Sequence, residues 1–292
     1  MSLIRSLSVG EGDMFYIMHD ADSFTIIDCS LTDDNREGIL SELIQMSSDK
    51  GISRFISTHP DEDHFAGLEF LDSKMGIANF YCVKNEATKE DETPDFIKYR
   101  ELRDSPKAYY LEKNCRRKWL NVGDDDRQSA GIQILWPVTT NPHYQEALDA
   151  AKEGDSPNNI SAVIKYSYAD GPTFLWMGDL ETEFMEKVKG ELSVPKVHVL
   201  FAPHHGRKTG TIPSELLESM EPDIIVIGEA DSQHLDYYSG YHTITQNSAG
   251  DITFIADKHK CHVFVSEAGY SVDFLDDEKM STLNYYIGTL NM

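Results

Sequence analysis

Two histidines and three acids stand within six residues, His59-Pro60-Asp61-Glu62-Asp63-His64, directly after Phe55-Ile56-Ser57-Thr58. Such a cluster behind a short apolar run reads as a metal-binding loop at the C-terminal end of a buried strand. Imidazole and carboxylate are ligands that suit zinc, iron and manganese. The loop constrains the fold, because other strand ends must bring it partners. Two later stretches do so. The strand-like run Thr173-Phe174-Leu175-Trp176-Met177 ends in Gly178-Asp179-Leu180-Glu181, and Val197 to Phe201 ends in Ala202-Pro203-His204-His205-Gly206. Strands hold ligands rigidly, and the loops after them leave room for a substrate.

The rest of the chain supplies strands and helices in mixed order. Residues 4 to 31 read as a three-strand meander: Leu7-Ser8-Val9, Met14 to Met18 and Phe24 to Cys29. Gly10 and Gly12 do not make a phosphate loop, since the Lys-Ser/Thr end is missing and a strand follows instead of a helix. Residues 33 to 48 have helical spacing, with Ile39, Leu40, Leu43 and Ile44 on one face and Asp33 and Asp34 as caps. A second helix is expected over Phe65 to Leu71, its N-terminus at the cluster, where the helix dipole favours carboxylates. Residues 78 to 84 read as a strand. Residues 85 to 130 are charged and irregular, with helices expected near Asp95–Arg103 and Ala108–Trp119. Further strands are expected at Ile132–Pro137, Ala162–Tyr168 and Ile224–Ile227, and helices at 182–192 and Ser214–Met220. Thr243 to Ile255 reads as a hairpin turning at Asn247-Ser248-Ala249-Gly250, extended by His262–Val265 and Ser271–Phe274.

The 292 residues suit one large domain or two small ones, and 40% hydrophobic content is enough for a packed core. No run approaches the length of a membrane span and no signal-peptide shape opens the chain, so a cytoplasmic protein without a membrane partner is expected. Cys29, Cys82, Cys115 and Cys261 are far apart and form no CxxC pair, which suits reduced thiols. The net charge of -24 excludes tight, non-specific nucleic-acid binding through a basic surface. It leaves nucleic acid possible through a local site, where bound divalent cations dominate the potential.

Five stretches in this order carry a resemblance: Val9-Gly10-Glu11-Gly12-Asp13, the His59–His64 cluster, Asn158-Asn159-Ile160-Ser161, Met177-Gly178-Asp179-Leu180-Glu181, and Ala202 to Gly206. The chain resembles the metallo-β-lactamase superfamily, and within it the hydrolase domain of bacterial competence (ComEC-type) DNA-uptake proteins. The likeness spans residues 4 to 275, without much of 85 to 150. It implies an α/β fold, a four-layer α/β/β/α metallo-β-lactamase sandwich. Residues 1 to 292 would form a single hydrolase domain with a variable insertion at 85 to 150. It also implies two divalent metal ions, zinc or manganese. His59 and Asp61 would bind the first, Asp63, His64 and His205 the second, and Asp179 would bridge them. Two departures weaken the first site. Asp61 stands for the second His of the family's HxHxDH, and Asn159 stands where an intermediate His is expected. An amide oxygen is a weaker ligand than imidazole, and an oxygen-rich shell tilts that site toward manganese or another hard ion. His204 is open between ligand, support and substrate contact; His205 is preferred as ligand.

The activity implied is metal-assisted hydrolysis, with Asp63 and Asp179 as the catalytic carboxylates and Asp63 orienting the attacking water. A phosphodiester in nucleic acid or in a small nucleotide is the expected substrate. Two readings stand beside it: another ester, such as a phosphorylcholine ester or a lactone, and a non-catalytic metal-binding or sensor module. Fold does not choose among these. His204, Arg207 and Lys208 are candidates for contacting substrate, the two cations by holding a phosphate oxygen. Tyr237, Tyr238 and Tyr241 read equally as rings that would stack on a base or as a loop packed onto the sandwich. Arg116, Arg117 and Lys118 are the most basic cluster, either a solvated helix face or a cap that reads an anionic substrate.

Overall fold

The computed structural model describes residues 1–230, 236–280 and 285–292. The meander is present, with its first strand earlier in the chain than expected: β1 (Ser2–Ser6), β2 (Phe15–Met18) and β3 (Ser23–Ile27), paired antiparallel in turn. After the short β4 (Cys29–Ser30), helix α1 (Arg36–Ser47) crosses to β5 (Ile52–Ile56), which lies parallel to β3. The short β6 (Phe65–Ala66) pairs with β4; α2 (Leu68–Met75) then leads to β7 (Phe80–Val83), and α3 (Pro94–Arg103) to β8 (Ala108–Leu111). The second sheet is built from β9 (Ile132–Trp136), β10 (Val163–Ser167), β11 (Thr173–Trp176), β12 (Val199–Phe201), β13 (Ile224–Ile227) and β14 (Thr243–Thr245). Its helices are α4 (Pro142–Lys152), α5 (Thr182–Val188) and α6 (Ser214–Met220). A single turn, α7 (Gln246–Ala249), precedes β15 (Ile252–Asp257), β16 (Lys260–Val265) and β17 (Tyr285–Asn291), which return to the first sheet beside β1. Among the described residues the sheet orders are β17-β16-β15-β1-β2-β3-β5-β7-β8 and β14-β13-β12-β11-β10-β9.

The layers follow from alternation along the strands. On β2, Phe15 and Ile17 point between the sheets while Tyr16 points to the helices. Phe15 meets Trp176 and Phe201 of the second sheet at 6.0 and 4.9 Å between ring centroids, and Phe174 meets Phe254 at 5.6 Å. Each such ring contributes about 1.5–3 kcal/mol by burial, so this aromatic layer is the main tie between sheets. On the far side of the first sheet, Leu40, Leu43, Leu68, Leu71, Phe96 and Tyr99 of α1, α2 and α3 form a second cluster with Tyr16, Phe24, Phe55 and Phe80. On the far side of the second, Trp136 packs on Tyr144 of α4 and Phe184 of α5. The result is the four-layer α/β/β/α sandwich. No helix among the described residues is long and apolar enough to cross a membrane.

Several local expectations fail for physical reasons. Ala108–Leu111 is a strand, not the start of a helix; its Ala-Tyr-Tyr-Leu run extends the sheet beside β7. Thr243–Ile255 is not a hairpin, since β14 pairs parallel with β13 and β15 pairs with β1 in the other sheet. Ser271–Phe274 is not a strand; β16 pairs instead with Tyr285–Asn291. Asn35, not Asp33 or Asp34, sits at the start of α1, and Ile44 is 48% exposed. The N-terminus of α2 is satisfied by Asp95, which accepts from Gly67 N and Glu69 N at 2.8 Å each, and not by the metal loop.

Candidate metal centre

Because β3 and β5 run parallel, their C-terminal ends open on one edge of the first sheet. β11 and β12 do the same in the second. The backbone ties these ends together. Ala162 N donates to Thr58 O at 3.0 Å, His204 N to Gly178 O at 3.0 Å, and Asp13 N to Asp63 O at 3.2 Å. Asp179 N donates to Ser161 Oγ at 3.0 Å. Gly178 before it has φ +52°, and a Cβ there would lie 2.7 Å from that same Oγ. The loops are therefore held in place by main-chain contacts, independently of any bound ion.

Asp63, His64, Asp179 and His205 meet at this edge, with one donor atom from each lying within 4.8 Å of all the others. His64 Nε2 is 3.1 Å from Asp179 Oδ1 and 3.9 Å from Asp63 Oδ1. His205 Nε2 is 3.2 Å from Asp63 Oδ2 and 3.7 Å from Asp179 Oδ2. His59 Nε2 lies 4.0 Å from Asp179 Oδ2. His59 Nε2, His64 Nε2 and Asp179 Oδ1 are buried and make no well-aligned hydrogen bond. Buried polar atoms are rarely left so. Several of them converging on one point fit the ligands of one cation, and two imidazoles with two carboxylates suit zinc, iron or manganese.

The opposite nitrogen of each ring is anchored. His64 Nδ1 is 3.0 Å from Asp28 Oδ2, and His205 Nδ1 is 3.2 Å from Asp13 Oδ1. His59 Nδ1 is 3.0 Å from Thr58 Oγ1, whose hydroxyl donates to Asp28 Oδ2 at 2.6 Å. With the Nδ1 proton committed to an oxygen, each Nε2 lone pair is left facing the centre, the usual support for a metal-binding histidine. Asp28 and Asp13 were not singled out from the sequence as site residues. The available signal for Asp28 is an acid directly behind the apolar run Phe24-Thr25-Ile26-Ile27.

Charges balance inside the cluster. Burial alone would lower His64, but the Asp179 and Asp28 carboxylates outweigh it and hold its pKa well above the ordinary value. For His205 burial is likewise outweighed, by Asp13 and Asp179, and its pKa rises to about 10. Burial opposes ionisation of Asp63, yet the hydrogen bond from His205 and the His64 charge bring it to about 2. Asp179 is well below the carboxylate range, as His64 and His205 overcome its burial. His59 is the exception: burial and then the neighbouring His64 charge lower it to about 4. Metal-free, two imidazolium protons face the two carboxylates Asp63 and Asp179. A divalent ion would replace those protons charge for charge.

Other expected site residues lie apart. Asp61 Oδ1 accepts from Lys89 Nζ at 2.6 Å and from Glu62 N at 2.9 Å. Asn159 donates to Glu181 Oε2 at 2.8 Å, and its Oδ1 accepts from Glu181 N at 3.1 Å. Neither belongs to the four-residue cluster. His204 sits at its edge, Nε2 3.8 Å from Asp179 Oδ2 and Nδ1 2.9 Å from Thr209 Oγ1. Arg207 pairs with Glu11 at 3.2 Å, and Lys208 is exposed. Tyr238 is buried in the core, and Tyr237 and Tyr241 pack against it. The Arg116–Lys118 stretch belongs to the opposite end of the sheet. Arg54 donates to Trp119 O at 2.8 Å, and Arg127 pairs with Asp22 of the β2–β3 turn at 2.6 Å.

No family model and no curated protein matches the chain. Among solved structures, the chain is similar to Igni18, a metallo hydrolase from the hyperthermophilic archaeon Ignicoccus hospitalis. The match covers 87% of this chain and 99% of that one, with 15% identity and a TM-score of 0.47. It is also similar to CmlA, a diiron beta-hydroxylase from Streptomyces venezuelae, over 87% of this chain and 54% of that one, with 10% identity and a TM-score of 0.48.

Proposed function

We propose that this chain is a metal-dependent hydrolase that cleaves a phosphodiester, in a small nucleotide or a locally guided nucleic-acid strand. The observation that carries this reading is the four-residue cluster, with one donor atom from each of Asp63, His64, Asp179 and His205 converging within 4.8 Å. A divalent ion held by these residues would supply Lewis acidity and make a bound water more acidic. The protein's own part is geometric. His64, His205 and Asp179 are buried, whereas Asp63 keeps a third of its side chain exposed. Among the four, Asp63 is thus the carboxylate that reaches solvent, and it would orient the attacking water while ligating the ion. The net charge of -24 favours a small substrate over long duplex DNA. The phosphodiester preference rests on the sequence resemblance to the competence-type hydrolase domain. We read residues 1–292 as one domain. The four cysteines form no disulfide, which suits the cytoplasm.

The test is a substrate screen with elemental analysis on the same preparation. Bound zinc or manganese and turnover of bis(p-nitrophenyl) phosphate are expected, with Asp63→Asn weakening the bound metal and lowering kcat by at least about a hundredfold at saturating metal. Turnover of p-nitrophenyl phosphorylcholine or a lactone alone would move the assignment to another ester. Metal without turnover of any of these would favour a binding module.

A further inference from the structure

The ion that the resemblance places at His59 and Asp61 has no complete ligand set among the described residues. It would draw on His59, Asp61 and Asn159, with Asp179 shared as the bridge. Asn159 uses both ends of its amide on Glu181. Asp61 Oδ1 is taken by Lys89 Nζ and Glu62 N. That leaves His59 Nε2 and the shared Asp179, whose Oδ2 lies 4.0 Å from it, and two donors do not make a site.

Lys89 is fixed in position. Its ammonium lies 5.4 Å from the centroid of the Phe65 ring, an attractive placement for a cation. The preceding residue is tied to α4, Thr88 N to Ala151 O at 3.1 Å and Thr88 Oγ1 to Lys152 O at 2.9 Å. Lys89 and Asp61 line a recess of ≈ 170 Å³ together with Pro60, Thr88, Asp155 and Ser156. An ammonium has three N–H donors, and Asp61 occupies one of them.

Building on the metal-dependent hydrolase reading, we propose that the centre takes a single divalent ion at Asp63, His64, Asp179 and His205. The Lys89 ammonium, seated on Asp61, stands in for a second cation and binds an anionic oxygen of the part of the substrate lodged in the recess that Lys89 lines. A fixed ammonium recognises a phosphoryl oxygen as a point charge, without the bidentate geometry of an arginine.

The experiment pairs native mass spectrometry with calorimetry, using inorganic phosphate as the probe on protein saturated with zinc or manganese. Wild type, Lys89→Met, Lys89→Gln and Lys89→Arg are compared. One ion per chain is expected in all four. Phosphate affinity should fall about tenfold or more in Lys89→Met and Lys89→Gln and stay within about threefold of wild type in Lys89→Arg. Two ions per wild-type chain would overturn the single-ion centre. One ion with phosphate binding absent from wild type, or unchanged in Lys89→Met and Lys89→Gln, would overturn the role of Lys89 and leave the hydrolase reading standing. No ion in wild type would remove both.

Discussion

Asp28 Oδ2 lies 3.0 Å from His64 Nδ1 at the bottom of the candidate centre, and both side chains are buried. The same oxygen accepts from Thr58 Oγ1 at 2.6 Å, and Asp28 Oδ1 accepts from Thr58 N at 2.7 Å. One carboxylate thus orients His64 directly and His59 through Thr58. Asp28 has φ +56°, a conformation that asparagine also tolerates. Asp28→Asn should therefore keep the backbone while presenting an amide N–H where an acceptor is needed. The expected result is a loss of metal affinity of about 10–100-fold, measured by competition against a chromophoric chelator. Unchanged affinity would show that His64 does not depend on Asp28.

Metal removal should cost stability. A ligand at a hundred times its Kd stabilises the native state by about 2.7 kcal/mol, so adding EDTA should lower Tm. His64→Ala should abolish the metal-induced rise. In EDTA the same variant should be less stable than wild type by about 3–5 kcal/mol, because Asp28 and Asp179 lose their buried partner. A His64→Ala protein whose Tm still rises with metal would place the ion elsewhere.

The residues of the candidate centre stand out in the sequence because they are local: three clusters of metal-type residues, each directly behind an apolar run. Their hydrogen-bond partners do not. Asp28 and His64 are 36 residues apart, and only the parallel pairing of β3 with β5 brings them together. The choice between His204 and His205 rests on a backbone turn with φ +54° at both residues, which no residue type in Pro203-His204-His205-Gly206 announces. Asn247 to Gly250 carries real turn chemistry, which by itself predicts a hairpin. Pairing was decided by where each sheet had room, β14 beside β13 and β15 beside β1. Local signals mark where a chain reverses, not which sheet receives it. Lys89 lay in a charged stretch without periodicity, and only the fold sets it on Asp61.

His19 gives the fold an acid-side weakness. Its pKa is well below the ordinary value, first through burial and then through the nearby Arg54 charge. Nε2 lies 2.8 Å from Thr25 Oγ1, which also accepts from Arg54 at 2.9 Å, so the ring is held neutral as an acceptor. Unfolded, it titrates near about 6.5. Above that pH both states are neutral there and the stabilisation is intact. As pH falls below it, the unfolded chain binds a proton that the native state refuses, and stability falls by up to about 1.4 kcal/mol per pH unit for this group. His64 and His205 have raised pKa values and add no such slope in this range, whereas His59 adds one of the same sign. His19→Gln should therefore flatten, but not abolish, the decline between pH 6.5 and 5. Urea unfolding of the chelated protein across that range would measure it, and an unchanged slope would mean that His19 takes up its proton in the native state.

Gly178 couples the fold to the centre more directly. Its φ of +52° disfavours any side chain, and an added Cβ would lie 2.7 and 2.8 Å from Ser161 Oγ and Cβ and 3.1 Å from Thr58 Cβ. Neither neighbour gives way freely, since Ser161 Oγ accepts from Asp179 N and Thr58 is bound to Asp28. The left-handed conformation alone costs an alanine about 1–2 kcal/mol, and relief of the contact must move Asp179. Gly178→Ala should therefore lose stability by at least that amount and weaken metal binding in the same variant. Gly190→Ala is the matched control, because a Cβ there meets nothing within 4 Å. It should leave both readouts at wild-type values. If Gly178→Ala lowered Tm but kept full metal affinity, Asp179 would be positioned by something other than the Ser161 contact.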